Sequence, residues 1–177
     1  MSLELWLAEI LVQDTAVAAV RFLCVDGYRG YVHGRFIGTD TDLRREVNRR
    51  LAELRDITRD MEQAHDAAEN PMRRAELQAL RRKIDDLTQT VKTSPHGSSR
   101  DTRVKRIPRS SRKNLKEADH QILKGMEEAR NVLTENGVLQ YQKDANSMAK
   151  CTGLLQSAAE GFNMRAALIG PLRWRGG

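Results

Sequence analysis

Two apolar stripes in the last third of the chain constrain its fold more than any other feature. On each stripe, apolar or small side chains recur every three or four residues, as in an a/d heptad seam. The stripes change phase by about one residue across Asn136-Gly137. A helix with such a stripe is unstable alone, so residues 114–170 are predicted to form a long helix, with a break or stutter, that packs against partner helices. The seam consists of Leu115, Ile122, Met126, Ala129 and Leu133, then Tyr141, Ala145, Met148, Thr152, Leu155, Ala159, Phe162, Ala166 and Ile169.

Two upstream segments predict an antiparallel helical hairpin. Residues 42–68 and 72–92 both carry apolar side chains at helical spacing. Pro71 disfavours helix at Asn70 and can open the next helix. Two amphipathic helices joined by a tight turn pack antiparallel, because only then do their stripes meet. The stripes are Leu43, Val47, Leu51, Leu54, Ile57, Met61, Ala64 and Ala68, then Leu77, Leu80, Ile84, Leu87 and Val91.

The N-terminal part divides into two segments. Residues 2–24 predict a helix docked on the protein's own core, since the acidic side chains on its polar face do not suit a membrane surface. Residues 25–38 contain four glycines and half of the chain's Tyr and Phe, which predicts a short strand pair or an ordered loop. Arg29 and Arg35 among these aromatics could stack on single-stranded nucleic acid. Packing against a neighbouring helix is the plainer alternative.

Residues 93–113 predict a flexible basic linker. The segment is poor in apolar residues and holds a single acid, Asp101, which favours disorder. Its cations could serve anionic lipid headgroups, nucleic acid or nuclear import, or only keep a tether hydrated. The candidate polyanion-binding residues are Arg100, Arg103, Lys105, Arg106, Arg109, Arg112 and Lys113.

The fold class predicted from these segments is all-α. It comprises an N-terminal helical bundle over residues 1–92, the linker over 93–113 and the seam helix over 114–170. Aromatic residues make up only 5% of the chain and charged residues 31%, which favours helices joined along stripes over a compact globule.

No enzymatic motif is recognisable, and we predict neither a cofactor nor a metal. The four histidines are scattered without metal-ligand spacing, and no nucleophile signature occurs. Cys24 and Cys151 are too few for a disulfide scaffold and predict reduced, buried thiols. The net charge of +6 indicates polyanionic neighbours. Neither a secretory signal nor a membrane-spanning run is apparent, so we expect a cytoplasmic protein.

The hairpin, the hydrophilic linker and the heptad helix together resemble SNARE proteins of the Qb group, which includes the Vti-like and plant-specific Qb SNAREs. The resemblance covers about Leu43 to Ile169. It is carried by LRREVNRRLAELRDITRDMEQAHDAAENP, by LQALRRKIDDLTQTVK and by LKEADHQILKGMEEARNVLTENG. In the last of these, Glu117, Asp119, Ile122 and Gly125 fall as in the opening of that family's motif.

The resemblance implies a regulatory helical bundle and a motif that joins a parallel four-helix complex driving membrane fusion. The seam residues would be its core layers, and Gln142 and Asn146 are the candidates for its central polar layer. It also implies a location at endomembranes. Most members of the family carry a C-terminal transmembrane span, which is not found here.

Three hypotheses about function therefore remain. The first is a non-enzymatic coiled-coil interaction protein that resembles a SNARE of vesicle transport, with other coiled-coil helices as partners. The second is a basic helical subunit of a ribonucleoprotein or other large assembly, which contacts phosphates through the linker and through Arg29 and Arg35. The third is a homo-oligomeric coiled-coil scaffold.

Overall fold

The computed structural model describes Tyr28, Tyr31 and residues 36–67, 71–94, 109–135 and 145–169. These residues form four α-helices and, within those ranges, no strand, as predicted for an all-α protein. The helices are α1 (Phe36–Ala67), α2 (Pro71–Thr93), α3 (Arg109–Glu135) and α4 (Ala145–Ile169). The predicted helix over 2–24 lies outside the described residues. The strand-like segment predicted near 25–38 is not confirmed, since residues 36–38 already belong to α1 and most of the others lie outside.

Helices α1 and α2 form the predicted antiparallel hairpin. Their ion pairs join Arg55 to Asp85 at 3.5 Å and Glu62 to Arg81 at 3.1 Å. The residue numbers of the paired side chains rise along α1 and fall along α2, so the two helices are antiparallel. The predicted apolar stripe of α2 is buried at every position, namely Leu77, Leu80, Ile84, Leu87 and Val91.

Helices α3 and α4 occupy the stretch for which one long helix was predicted, and that single helix is not confirmed. The two pack antiparallel: Gly125 lies beside Leu154, whereas Gly161 lies beside Ile122. A Cβ added at Gly161 would stand only 2.7 Å from the Ile122 side chain. The glycine therefore allows the close approach of the two helices. The break at Asn136-Gly137 lies in the connection between them, residues 136–144, outside the described residues.

The two hairpins pack side by side into a four-helix bundle. Helix α1 contacts α2 and α3, and α4 contacts α3 and α2. Helices α1 and α3 run parallel, because Arg50 pairs with Glu127 and, further along both helices, Glu53 pairs with Arg130. Helices α2 and α3 therefore occupy diagonally opposite positions in the bundle. Tyr28 and residues from all four helices form the main core. None of the helices in the described ranges has the length and apolar content needed to span a bilayer.

The predicted partner-helix seam is buried inside this bundle. Tyr141 and Gln142 lie outside the described residues, as do the side chains of Ala145 and Asn146, which are the first residues of α4. The buried stripe of α4 also differs from the predicted one: Cys151, Ala158 and Arg165 are buried, whereas Thr152, Ala159 and Ala166 are only partly buried. The buried seam residues are Leu115, Ile122, Met126, Ala129, Leu133, Met148, Leu155, Phe162 and Ile169.

Candidate functional site

A cluster of polar side chains lies inside one end of the bundle, centred on Asp119 of α3. The Tyr28 hydroxyl donates a hydrogen bond to Oδ2 of Asp119 at 2.8 Å, and the Tyr31 hydroxyl donates to the same oxygen at 2.5 Å. Arg165 of α4 donates from Nη1 to Oδ1 at 2.9 Å. Both oxygens of the Asp119 carboxylate are thus bound by groups from outside α3.

Two arginines extend this network to α1 and α2. Arg165 Nη2 donates to Oδ1 of Asp40 at 2.5 Å, and Arg44 Nε donates to Oδ2 of Asp40 at 2.9 Å. Arg44 also donates to the carbonyl of Val91 at the end of α2. The guanidinium groups of Arg44 and Arg165 lie 6.0 and 5.7 Å from the ring centre of Phe162, within range of a cation–π contact.

The term "buried cluster" denotes Tyr28, Tyr31, Asp40, Arg44, Asp119 and Arg165. No residue in it is more than 5% exposed, and its two carboxylates balance its two guanidinium groups. A buried ion pair needs this kind of full pairing, because taking charges out of water costs several kcal/mol per ion. The cluster ties all four helices to the segment that contains the two tyrosines.

Burial is the largest single influence on the pKa values of Asp119, the two tyrosines and Arg165. It raises the pKa of Asp119, although Arg165 and the two tyrosine hydroxyls act in the opposite direction. Burial and the neighbouring Asp119 raise the pKa of Tyr28 far above its ordinary value. Burial acts to lower the pKa of Arg165, but Asp119, Tyr31, Asp40 and Tyr28 together outweigh it, and the net change is upward. The phenols therefore stay protonated and the guanidinium stays charged at neutral pH.

The chemistry open to the buried cluster is limited by access. A carboxyl beside two phenols could exchange protons with a substrate. Its partners here, however, are other members of the cluster, and a substrate could reach Asp119 only if the bundle opened. We therefore interpret the cluster as a device that fixes the helices and the Tyr28–Tyr31 segment relative to one another.

Two charged residues of this cluster could have been recognised from the sequence, because they stand at core positions of the helical pattern. The predicted seam steps by seven residues from Leu115 to Ile122, and Asp119 occupies the skipped core position. Arg165 likewise lies three residues after Phe162 and four before Ile169, which is core spacing. A charge at a core position requires a buried partner, so these two residues were a candidate pair.

The predicted polyanion-binding residues are only partly within the described ranges. Arg100, Arg103, Lys105 and Arg106 lie outside them, as do Arg29 and Arg35. Arg109 begins α3, so residues 109–113 of the predicted linker are helical. The remaining two differ in their surroundings. Arg112 has a buried Nε without a hydrogen-bond partner among the described residues. Lys113 is exposed, and its Nζ lies 3.9 Å from Glu117 Oε1.

A second charged region, which the sequence did not single out, is a groove between α1 and α2 near their connecting turn. It has a volume of about 590 Å³. All of its lining residues have polar or charged side chains, with four guanidinium groups and two carboxylates. The term "arginine groove" denotes its lining residues, Arg59, Glu62, Gln63, Arg74, Gln78, Arg81, Arg82 and Asp85.

Metal and thiol chemistry find little support in the described part of the chain. No group of three or more His, Cys, Asp or Glu side chains there could hold a metal ion. Cys151 is buried, with its Sγ 3.9 Å from the carbonyl oxygen of Ala129. Burial raises the pKa of its thiol to about 12, so it is protonated and a poor nucleophile at neutral pH.

Comparison with known protein families, characterised proteins and solved structures finds no match to this chain. The SNARE resemblance therefore stays a prediction. The features of the chain that bear on its function are the buried cluster, the arginine groove and the burial of the seam.

Proposed function

We propose that this chain is a non-enzymatic helical-bundle module that binds nucleic acid as the basic subunit of a larger assembly. The observation that supports this proposal is the burial of the seam within the bundle. Its described side chains are packed inside the chain's own bundle, where Ile122 meets Gly161 and Cys151 meets Ala129. A seam that the chain itself covers is not free for partner helices, so contacts with partners fall to the outer surface.

Among the four described helices, α2 has the largest excess of positive charge. This helix carries six Lys or Arg residues against three Asp or Glu residues. Arg74, Arg82, Lys83 and Lys92 are exposed on it, and the basic segment 93–113 follows directly. Cations arranged in succession along a helix and a connecting segment suit a phosphate backbone, since each phosphate contact releases a counterion.

The proposal is tested by the affinity of the full chain for a fluorescently labelled single-stranded RNA across a series of salt concentrations. Arg103, Lys105 and Arg106 would be changed together to Gln. If three phosphate contacts are lost, the slope of log affinity against log salt should fall by about 2, at about 0.7 per contact.

The matched control changes three cations on α1 and α3, Arg45, Arg49 and Lys124, to Gln. These side chains are exposed and pair with carboxylates on their own helices. Both triple variants lose the same net charge. Equal effects in the two would mean that binding follows overall charge, and an absence of RNA binding by the unmodified chain would refute the proposal.

The second candidate is a SNARE-like protein at endomembranes, with the bundle as its closed form. It is favoured by the predicted core layers, since most of the described seam residues of α3 and α4 are buried. Assembly with three partner helices would need the α3–α4 hairpin to open and the Asp119–Arg165 pair to separate. Mixing the full chain with the three complementary helices should then give a complex with increased helicity in circular dichroism. An unchanged spectrum and no complex would exclude this candidate.

A further inference from the structure

We propose that the arginine groove is a binding site for a ligand that carries two or more linked phosphate groups. This inference rests on the proposed function only in expecting an anionic ligand, and it places a separate site at the turn end of the α1–α2 hairpin. The volume of about 590 Å³ is within the range of small-molecule sites. Its lining side chains, all polar or charged, suit a hydrophilic ligand.

The spacing of the groove side chains along α2 indicates more than one phosphate. Arg74, Gln78 and Arg82 are four residues apart and share one helix face. At a rise of 1.5 Å per residue, Arg74 and Arg82 start about 12 Å apart along the axis. Two guanidinium groups spaced in this way along one groove suit a chain of phosphates better than a single ion. Gln78 lies between them and offers an amide donor.

The existing ion pairs of the groove can exchange their partners at low cost. Arg59 lies 3.2 Å from Asp56, but the two side chains are 53% and 63% exposed. Exposed pairs of this kind contribute about 0–1 kcal/mol, whereas a guanidinium binds phosphate through two parallel hydrogen bonds. Asp85 is paired with Arg55 from outside the groove. Arg82 is exposed and forms no ion pair with any residue that the structure describes.

Glu62 is the group in the groove that opposes an anion. Its Oε2 accepts a hydrogen bond from Arg81 at 3.1 Å, while its Oε1 is buried and has no hydrogen-bond partner in the described part of the chain. The carboxylate therefore competes with a phosphate for Arg81 and also repels it. This gives the proposal a distinctive consequence, because removing the charge of Glu62 should strengthen binding rather than weaken it.

The experiment is calorimetric titration of the full chain with tripolyphosphate and, separately, with orthophosphate. We expect tripolyphosphate to bind more tightly. Arg82→Gln should weaken tripolyphosphate binding about tenfold, which corresponds to one lost charge-assisted hydrogen bond. Glu62→Gln should strengthen it severalfold. The charge-matched controls, Arg45→Gln and Glu117→Gln, lie outside the groove and should change the affinity less than twofold. Circular dichroism checks that each variant is folded.

Three outcomes would overturn the site: no binding of tripolyphosphate, an equal loss in Arg45→Gln and Arg82→Gln, or weaker binding in Glu62→Gln. Vesicles that contain a bisphosphorylated inositol lipid separate a headgroup from a soluble ligand. Sedimentation with such vesicles that Arg82→Gln abolishes would identify the headgroup as the source, and binding of tripolyphosphate without sedimentation would identify a soluble polyphosphate.

The same titration distinguishes this site from the proposed function. Changing Arg103, Lys105 and Arg106 to Gln should leave tripolyphosphate binding unaltered if the groove is a site of its own. A chain that binds tripolyphosphate but no RNA would retain the groove site and lose the proposed function. A chain that binds RNA but no tripolyphosphate would retain the proposed function and lose the groove site.

Discussion

The buried cluster and the arginine groove both contain arginines beside carboxylates, but the two regions differ in their exposure to water. Arg165 lies 2.9 Å from Asp119, and Arg59 lies 3.2 Å from Asp56, so the ion-pair distances are alike. The first pair is at most 1% exposed, whereas both members of the second are more than half exposed. Water screens the groove pair and leaves its partners exchangeable. In the cluster, each charge depends on its partner, so the contact has a structural role.

The largest expected effect comes from breaking the buried cluster with Arg165→Met. The change removes the cation that faces Asp119 and Asp40 and leaves the Asp119 carboxylate buried beside two phenols. Loss of one partner of a buried pair costs about 3–5 kcal/mol, and urea denaturation should show a loss of that size.

The control for that variant is Arg59→Met in the groove, for which we expect a change within about 1 kcal/mol. Adding Asp119→Asn to Arg165→Met should restore part of the loss, since the uncompensated charge is then gone. A cost below about 1 kcal/mol for Arg165→Met would show that the cluster is not what holds this end together.

The next largest effect compares a buried glycine with an exposed glycine on α4, where no charge is involved. In Gly161→Ala, the new Cβ would stand 2.7 Å from Cγ1 of Ile122, so α3 and α4 must shift apart. Overpacking of this kind costs about 1–3 kcal/mol. Gly153 is exposed on the same helix and a Cβ there meets nothing within 4 Å. Gly153→Ala should instead stabilise the protein by about 0.5–1 kcal/mol through helix propensity.

Thermal or urea unfolding of the two glycine variants gives the comparison directly. Opposite signs are the expected result. If both variants stabilise the protein, the α3–α4 interface is looser than the close approach at Gly161 implies, and a bundle that opens for partner helices becomes the stronger proposal.

The sequence predicted the α1–α2 hairpin closely but not the pairing of α3 with α4. The predicted 72–92 compares with Pro71–Thr93 for α2, because Pro71 marks its start and its apolar stripe is unbroken. For residues 114–170, the stripe shows that one helical face is buried but not against what. A hairpin and a continuous helix with a stutter give the same apolar pattern. The phase change at Asn136-Gly137 is compatible with both.

The two charged regions were missed for different physical reasons. The buried cluster joins residues far apart in sequence, such as Tyr31 and Arg165, and no local pattern pairs them. The core position of Asp119 was nevertheless a readable signal. The groove depends on which faces of α1 and α2 meet, and arginines beside carboxylates on a helix resemble ordinary surface pairs. Neither charge counts nor periodicity distinguishes such pairs from a site.

Two carboxyl groups, Asp119 in the buried cluster and Glu46 on α1, should respond to pH in opposite directions. Burial raises the pKa of Asp119 above its ordinary 3.8, so the folded state keeps a proton that the unfolded chain has released. Its contribution to stability is therefore present at low pH and declines as pH rises above about 4. For partly exposed Glu46, burial acts to raise the pKa, but hydrogen bonds from Arg49 and Arg50 lower it below 4.5. Its contribution is present above that pH and is lost on acidification.

Urea unfolding at a series of pH values should separate these contributions. Asp119→Asn removes the declining contribution, so the free energy of unfolding should rise more steeply with pH just above 4 than in the unmodified chain. Glu46→Gln removes the rising contribution, so the same profile should become flatter. Profiles that stay parallel to the unmodified one would mean that neither carboxyl titrates differently in the folded and unfolded states.

The smallest expected effect on stability is that of Arg82→Gln in the groove. This side chain is exposed and forms no ion pair among the residues described, so its loss should change the free energy of unfolding by no more than about 0.5 kcal/mol. The same variant should weaken tripolyphosphate binding about tenfold. An arginine that contributes to binding and not to folding is what a ligand site requires. A cost above about 1 kcal/mol would instead make Arg82 a structural residue and remove the main support for the groove as an anion site.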